Sequence, residues 1–396
     1  MASTGDGDAA LVADALDVSP AALRVLGREP LGDGSVAGFE VTDGDSAGMV
    51  AYADTSGLRV PAETGFARDD GARVWMHPAD PHVPALAPVA YEGAAAALLE
   101  RLGLRGLRAV EMVGYRPGRR AVLRADLEED GAARTVWLKT VRPARVERIV
   151  TAHRAMSAAA LPTPDVLGWS PDGLIVLSSA VGTPATDAVW SAGALLDAVD
   201  RLRKAFDRVE LAIEARTSLS SRLDWYTERL RAALAGAGDR VDAVAAAATA
   251  VLGRTSAERA VVHGDLHLGQ LFLDTAGDEV RITGLVDVDT AGLGDPADDA
   301  AAFLGHVVAS AVATEPDAAA ARVWGLANAA GARWGGDPRV LALTRVHLLG
   351  HALTAAELGD AASANRLVAI AADLPDGAVG PWDLRKTGLI TAFEGS

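Results

Sequence analysis

Cysteine is absent from the 396 residues of the chain, and aromatic residues make up only 5% of it. Without cysteine the chain forms neither disulfides nor thiolate–zinc sites, which is consistent with a reducing compartment. Positive charge is also scarce, because 37 lysines and arginines are set against 53 acidic residues and leave a net charge of −16. Such an acidic chain repels phosphate backbones, so we expect no nucleic-acid partner.

Long apolar runs are missing as well. The sequence has no stretch of about 18 uninterrupted apolar residues, the length that would predict a membrane-spanning helix. Residues 1–20 have neither the basic start nor the apolar centre of a secretory signal. We therefore expect a cytoplasmic protein without a membrane partner. The apolar share of 50% and the charged share of 23% are typical of a globular chain, whose length predicts two or three domains or lobes.

The order of sequence patterns predicts three successive parts and an α+β fold. Residues 1–90 are rich in glycine, aspartate and proline and contain short strand-like runs, which indicates a small β-rich module. Residues 91–182 alternate a helix, a hairpin around RPGRR, a strand, a second helix and two more strands, which predicts a mixed sheet. Residues 183–396 have mostly helical periodicity.

The motif HGDLHLGQ interrupts this helical region and places two of the chain's 8 histidines around Asp265. Two apolar runs follow it, separated by the turn DTAGDE, and predict a hairpin with Asp265 and Gln270 before it and Asp287 after it. Phosphoryl transfer needs a carboxylate that orients and deprotonates the attacking hydroxyl, together with hard oxygen ligands for Mg²⁺. A base, an amide side chain five residues later and a second carboxylate after a hairpin are typical of kinases.

A kinase also needs a lysine on a strand to reach the ATP phosphates. Lys139, in VWLKTV, lies in the expected mixed sheet, and a helix carrying Glu147 as a candidate acidic partner follows it. A G-x-G-x-x-G loop is absent. The stretch GYRPGRR stands at its place, so Gly114 and Gly118 are the candidates for a contact with phosphate.

The motif HGDLHLGQ, taken together with GLVDVDTAGLGDPADDAA, resembles the aminoglycoside phosphotransferase-like kinase superfamily over about residues 110–310. The HLGQ variant is similar to the actinobacterial maltokinase and glucosamine kinase branch in particular. The resemblance implies a bilobal protein-kinase-like fold with an ATP cleft between the lobes. It also implies an N-terminal cap over residues 1–90, an ATP-binding lobe over 91–182 and a catalytic lobe over 183–396.

The resemblance assigns roles to individual residues. It implies that Asp265 is the catalytic base, that Gln270 and Asp287 are Mg²⁺ ligands, and that Lys139 binds ATP. The segment IVLSSAVGTP, residues 175–184, resembles the hinge whose backbone meets adenine.

The sequence leaves three small molecules as candidate acceptors of the phosphoryl group. The run after Asp287 differs from the Glu-Gly-Glu-Pro-like run of maltokinases, which favours glucosamine, phosphorylated at its 6-hydroxyl as the resemblance implies. Nearby carboxylates would attract a protonated amino sugar more than a neutral disaccharide, although they can equally serve Mg²⁺ or helix starts. The alternatives are maltose, phosphorylated at its 1-position, and an aminoglycoside. The carboxylates in question are Asp289, Asp295, Asp298 and Asp299.

Several further residues have candidate roles at this site. Asp265 and Asp289 are candidate substrate contacts, and Trp382 would stack on a sugar ring. We expect Asp299 to support the catalytic loop from the first turn of a helix. His347 and His351 lie four apart on one helical face, and we expect them to be structural rather than ligands.

Two function classes compete with a kinase. A pseudokinase-like binding module would keep the fold without the chemistry, but the presence of Lys139, Asp265 and Asp287 argues against it. The motif HGDLH also imitates the H-x-D-x-H pattern of a metal hydrolase, but the sequence offers no third ligand at helical spacing. We therefore expect His263 and His267 to orient the loop through hydrogen bonds.

Overall fold

A computed structural model describes residues 4–129, 131–215, 222–254, 259–275, 279–315 and 318–375. The chain divides into two compact units, one of residues 1–150 with 165–179 and the other of residues 151–164 with 180–396. The division after Ser179 falls inside the segment interpreted above as a hinge, while the boundaries near residues 90 and 182 stay predictions. Within the described ranges, no helix is long and apolar enough to cross a bilayer.

The first unit begins with a helix and an antiparallel sheet. The helix is α1 (Thr4–Leu16), and the strands are β1 (Leu23–Leu31), β2 (Gly34–Val41), β3 (Val50–Asp54), β4 (Phe66–Ala67) and β5 (Arg73–Met76), ordered β1-β2-β3-β5-β4. Val12 of α1 packs on Phe39 and Val74 of the sheet. The β-rich character of this region is confirmed, whereas α1 was not expected from the sequence.

A second antiparallel sheet completes the first unit. Its strands are β6 (Leu107–Arg116), β7 (Arg120–Glu129), β8 (Ala132–Val141), β9 (Val166–Ser170) and β10 (Leu174–Ser178), ordered β6-β7-β8-β10-β9. Helices α2 (Leu86–Ala90) and α3 (Glu92–Arg101) precede it in the chain, and α4 (Val146–Ala158) follows β8. Arg116 pairs with Arg120 across the turn RPGRR, so the predicted hairpin is confirmed.

The second unit is mainly helical. Its helices after α4 are α5 (Ala192–Ala205), α6 (Leu223–Ala233), α7 (Gly238–Leu252), α8 (Ala297–Ala313), α9 (Ala318–Trp334), α10 (Pro338–Glu357) and α11 (Ala361–Asp373). Helix α10 packs against α6, α7, α8 and α11, which explains why it lacks the one-sided apolar stripe of a surface helix. Its start is fixed by the side chain of Asp337, which accepts a hydrogen bond from Arg339 N–H at 2.8 Å.

Two small sheets lie among these helices. They are formed by β11 (Thr183–Pro184), β12 (Ala260–Val262), β13 (Leu271–Asp274), β14 (Arg281–Leu285) and β15 (Gly292–Gly294), in the orders β11-β13-β14 and β12-β15. Leu271 of β13 pairs with Leu285 of β14, so the hairpin predicted after HGDLHLGQ is also confirmed. The segment between β12 and β13 carries that motif and is called the catalytic loop below (residues 263–270).

A buried carboxylate, Asp80, connects the segment after β5 to the second sheet of the same unit. Its Oδ2 accepts hydrogen bonds from the Tyr115 hydroxyl at 2.8 Å and from Gly118 N–H at 2.7 Å, and its Oδ1 accepts one from His82 N–H at 2.8 Å. Tyr115 also packs edge-on against Tyr52 of β3, with ring centroids 5.5 Å apart. The turn between β6 and β7 is therefore fixed by a side chain from outside its own sheet.

We predict that Asp80→Ala lowers the free energy of unfolding by about 2–5 kcal/mol, because it leaves several buried donors without an acceptor. Urea unfolding followed by tryptophan fluorescence measures the effect. Asp33→Ala is the matched control at an exposed turn position and is expected to change stability by less than about 0.5 kcal/mol. Equal effects of the two substitutions would contradict the anchoring role of Asp80.

Candidate active site

The catalytic loop is held by a carboxylate at the start of α8. Both carboxylate oxygens of Asp299 accept backbone hydrogen bonds, one from His263 N–H and one from Gly264 N–H, each at 2.9 Å. Complete burial raises the pKa of Asp299, while nearby His263 and the two N–H donors oppose that rise. The geometry is the one required of a residue that supports the loop.

The backbone of the loop requires glycine at the second position of the motif. Gly264 has φ +79°, and a Cβ there would lie 2.9 Å from the carbonyl oxygen of Thr290. The Thr290 hydroxyl donates in turn to the carbonyl of His263 at 2.8 Å. The backbone directly before Asp265 is thus fixed, and the side chain of Asp265 is 30% exposed.

Both histidines of the motif make hydrogen bonds that shape the loop. His263 is fully buried, and its Nε2 donates to the carbonyl of Val286 at 3.1 Å. His267 accepts a hydrogen bond on Nδ1 from Gly269 N–H at 3.1 Å. Burial, with the neighbouring His306, lowers the pKa of His267 to about 4, so this ring is neutral near pH 7. One nitrogen of each ring thus holds the backbone of the loop, as expected of residues that orient it. Among the residues that the structure describes, no three His, Cys, Asp or Glu side chains are grouped to hold a metal ion.

Gln270 and Asp287 lie at the same end of the β13–β14 hairpin. Gln270 immediately precedes β13, and its backbone carbonyl accepts a hydrogen bond from Val286 N–H at 3.0 Å. Its side-chain Oε1 is buried and accepts no hydrogen bond from the residues that the structure describes. A buried carbonyl oxygen without a donor is costly, and it is the type of ligand that a hard cation uses.

Asp287 has a backbone conformation that is rare outside glycine. Its φ of 60° and ψ of 39° lie in the left-handed region. Non-glycine residues held there concentrate at functional sites, because the surrounding structure must enforce the conformation. An amide oxygen and a carboxylate at one hairpin end fit Mg²⁺, which binds few protein ligands and completes its shell with phosphate and water oxygens.

The acidic run after Asp287 is largely compensated within the second unit. Asp295 forms an ion pair with Arg339, and Asp299 binds the loop backbone. Burial, with Asp295 and Asp299 nearby, raises the pKa of Asp298 to about 7. Asp289 is buried at the turn after Asp287. The attraction for a protonated amino sugar, which the sequence suggested from four carboxylates, is therefore weaker than the charge count implied.

The remaining candidates of the first unit lie in its second sheet. Lys139 is buried on the central strand β8, between Val122 of β7 and Ile175 of β10. Glu147, its candidate partner, occupies an exposed position in the first turn of α4. The roles of both residues stay predictions.

The two candidate glycines of the β6–β7 hairpin differ in their surroundings. The N–H of Gly118 donates to Asp80, and its φ of +70° would strain any other residue. That amide is thus already used within the unit, although a role at phosphate stays a prediction. Around Gly114 a Cβ would meet nothing within 4 Å, so the space there does not require glycine.

One candidate residue cannot be placed, and one neighbour of Asp265 was not predicted from the sequence. Trp382 lies outside the described residues. His306, on α8, has its Nε2 3.5 Å from Oδ1 of Asp265 and was not singled out from the sequence. A signal for it exists, because His306 follows Asp299 by seven residues, two helical turns that return to the same face.

Comparisons with known proteins agree with this arrangement. The model of a family described as "Phosphotransferase enzyme family" (APH) matches residues 59–342, more than two thirds of the chain. A crystal structure of a thermostable mutant of the aminoglycoside phosphotransferase APH(4)-Ia, in its apo form, is 16% identical with a TM-score of 0.52, over 69% of this chain and 97% of that chain.

Two ternary complexes of thermostable mutants of the same enzyme also match. One contains ADP and hygromycin B and is 16% identical with a TM-score of 0.52, over 72% of this chain and 98% of that chain. The other contains AMP-PNP and hygromycin B, with the same identity and TM-score, over 74% of this chain and 98% of that chain. At such identities the likeness shows a shared fold, with an antiparallel-sheet N-terminal lobe and a helical C-terminal lobe. A search of curated proteins finds no match.

The raised pKa of Asp298 predicts a pH-dependent stability. Between about pH 4 and pH 7 the folded chain keeps a proton on Asp298 that the unfolded chain releases, so this residue makes stability fall as the pH rises through that window. Asp298→Asn stays neutral and is expected to be more stable than the unmodified chain at pH 8, by up to about 4 kcal/mol, with the difference shrinking toward pH 4. Urea unfolding at several pH values measures it, and Asp207→Asn, at an exposed position, is the control. A difference independent of pH would contradict the assignment.

Proposed function

The chain belongs to the phosphotransferase enzyme family, and on this premise we propose that it is an ATP- and Mg²⁺-dependent kinase that phosphorylates a sugar hydroxyl. The observation that carries the proposal is the presentation of Asp265. Asp299 fixes the backbone directly before it, and the carboxylate of Asp265 is left partly exposed within the loop. A general base needs this combination of fixed position and access to its substrate.

Each proposed residue acts on a different part of the reaction. Asp265 orients the acceptor hydroxyl and takes its proton as the new O–P bond forms and the bond between the γ-phosphorus and the departing ADP breaks. Gln270 and Asp287 hold the metal through an amide oxygen and a carboxylate oxygen, and Lys139 binds the nucleotide phosphates. When bound, Mg²⁺ and ATP supply the phosphoryl group and the positive charge that balances its oxygens.

The nucleotide assignment has support from two directions. The order Asp265, Gln270, Asp287 is that of kinases that use ATP. The similar enzyme has been solved with ADP and with AMP-PNP, which supports an adenine nucleotide here. Residues 175–184 are the proposed hinge for adenine.

Glucosamine, phosphorylated at its 6-hydroxyl, is the proposed acceptor. The support is the HLGQ motif and the run after Asp287, which resemble the glucosamine kinase branch. Asp265 and the buried Asp289 would then be the carboxylates nearest an amino sugar. Maltose is the alternative that gains from the structure, because Asp295, Asp298 and Asp299 are compensated and favour a cationic acceptor less. An aminoglycoside is the third candidate, since hygromycin B occupies the similar enzyme.

We predict that Asp265→Asn lowers kcat by about 10²–10⁴-fold while the Kd for ATP changes less than about threefold, since the amide keeps the shape but cannot take the proton. Coupled ADP release with Mg-ATP measures turnover on glucosamine, maltose, glucose, N-acetylglucosamine and kanamycin. Asp207→Asn is the matched control and is expected to turn over like the unmodified chain.

The panel separates the competing functions. Turnover on glucosamine that is lost in Asp265→Asn supports the proposal in full. Turnover on maltose alone would support the mechanism but show that the acceptor is maltose and not glucosamine. Binding of ATP without turnover on any acceptor would favour a pseudokinase-like binding module, and metal-dependent activity without nucleotide would revive a hydrolase.

The role of Gln270 predicts opposite effects on metal binding and on stability. Gln270→Leu removes the oxygen ligand and is expected to raise the Mg²⁺ concentration for half-maximal activity by about 10–100-fold. Without Mg²⁺, the same variant is expected to keep or raise the Tm, because a buried oxygen without a donor has been replaced by an apolar group. Activity against Mg²⁺ concentration and thermal unfolding with EDTA measure the two effects. An unchanged Mg²⁺ dependence with a lowered Tm would show that Gln270 is structural.

A further inference from the structure

Four histidines from three segments of the second unit converge beside Asp265. His306 of α8 has its Nε2 3.5 Å from Oδ1 of Asp265. The ring centroid of His267, in the catalytic loop, lies 4.4 Å from that of His306, and the ring of His351, on α10, meets it edge-on at 4.5 Å. His347, one turn before His351, is 6.3 Å away. Half of the chain's 8 histidines are in this cluster.

Close packing of α8 on α10 brings these rings together. Gly305, directly before His306, lies so near α10 that a Cβ there would be 2.6 Å from Cβ of His347. Asp299, on the same face of α8 as His306, meanwhile fixes that helix to the catalytic loop. The place of His306 on α8 is therefore fixed by contacts on two sides of the helix, the Asp299 carboxylate against the loop backbone and Gly305 against His347.

The two rings that enclose His306 are neutral near pH 7. Burial and the neighbouring His306 lower the pKa of His267 to about 4 and the pKa of His351 to about 3. The backbone N–H of Gly269 donates to Nδ1 of His267, so the proton of this neutral ring is on Nε2. His306 thus lies between two neutral rings and one carboxylate, with its own side chain 28% exposed.

We propose that His306 is a positioning residue for the catalytic base, which holds Oδ1 of Asp265 through its Nε2–H and turns Oδ2 toward the acceptor hydroxyl. His267 and His351 fix the plane of the His306 ring from two sides. The 3.5 Å separation shortens to a hydrogen bond after a small rotation of either side chain, as is common for catalytic contacts before the substrate binds. The inference rests on the proposed role of Asp265 as base.

The matched variants His306→Gln and His306→Asn test this role, because both are polar and differ by one methylene. The amide nitrogen of glutamine reaches the place of Nε2, whereas that of asparagine falls short of Asp265. His306→Asn is expected to lower kcat by about 10–100-fold, as a small misplacement of a catalytic group does, with the KM for ATP unchanged. His306→Gln is expected to retain most of the activity. Ser310→Leu, exposed one turn further along α8, is the control.

The pH profile separates a positioning role from a structural one. A donor on Oδ1 favours the ionised carboxylate, so the acid limb of kcat/KM is expected to move to higher pH in His306→Asn and to stay in place in His306→Gln. The ionisable groups that face His306 are Asp265, His267, His347 and His351. Equal kinetics in the two amide variants, or an acid limb that does not move in His306→Asn, would overturn the proposal.

A third measurement does not depend on turnover. The imidazole signals of His306, assigned by their loss in His306→Gln, are followed by NMR at constant pH. Asp265→Asn is expected to shift these signals, because the carboxylate that faces the ring becomes a neutral amide. Asp207→Asn is expected to leave them unchanged. Unmoved signals in Asp265→Asn overturn the contact even when no acceptor is turned over, while moved signals without turnover leave the contact standing and count against the kinase.

Discussion

The candidate site depends on one buried carboxylate, that of Asp299, which accepts two adjacent backbone N–H groups of the catalytic loop. A carboxylate buried without donors would lose several kcal/mol of solvation, so the two hydrogen bonds stabilise the loop and the start of the helix together. The contact also fixes the conformation of Gly264, where the carbonyl of Thr290 leaves no room for a side chain. Asp265 follows directly on this fixed backbone.

Helix α8 consequently makes two contacts at or beside Asp265. At its first turn it binds the loop backbone through Asp299, and two turns later it places His306 against the carboxylate of Asp265. The close packing of Gly305 on His347 of α10 restricts the movement of α8, which carries both contacts. Substitutions in the helical core of the second unit are therefore expected to displace α8, and with it the residues that contact the catalytic loop and Asp265.

Local patterns predicted both hairpins and the order of helices and strands in residues 91–182, because each depends on neighbours in sequence. The pairing of Leu271 with Leu285 and of Arg116 with Arg120 follows from apolar runs on either side of turn residues. Contacts between distant segments were not predictable in this way. The hydrogen bond from Gly118 to Asp80 spans 38 residues and shows no pattern in the sequence. His306 is an intermediate case. Its seven-residue spacing from Asp299 places both residues on one face of α8, but nothing in the sequence indicates its contact with Asp265.

The acidic run after Asp287 shows why a charge count overstates the field at a site. A carboxylate attracts a cationic ligand only if it is ionised and not already neutralised, and each of these conditions depends on residues elsewhere in the fold. Arg339, from α10, neutralises Asp295, and burial keeps a proton on Asp298 up to about pH 7. Selection of an amino group over a hydroxyl would then depend on Asp265 and Asp289, not on the run as a whole. The same compensation lets α8 begin with adjacent acidic residues, since Asp299 accepts two backbone N–H groups and Asp298 is kept neutral by burial.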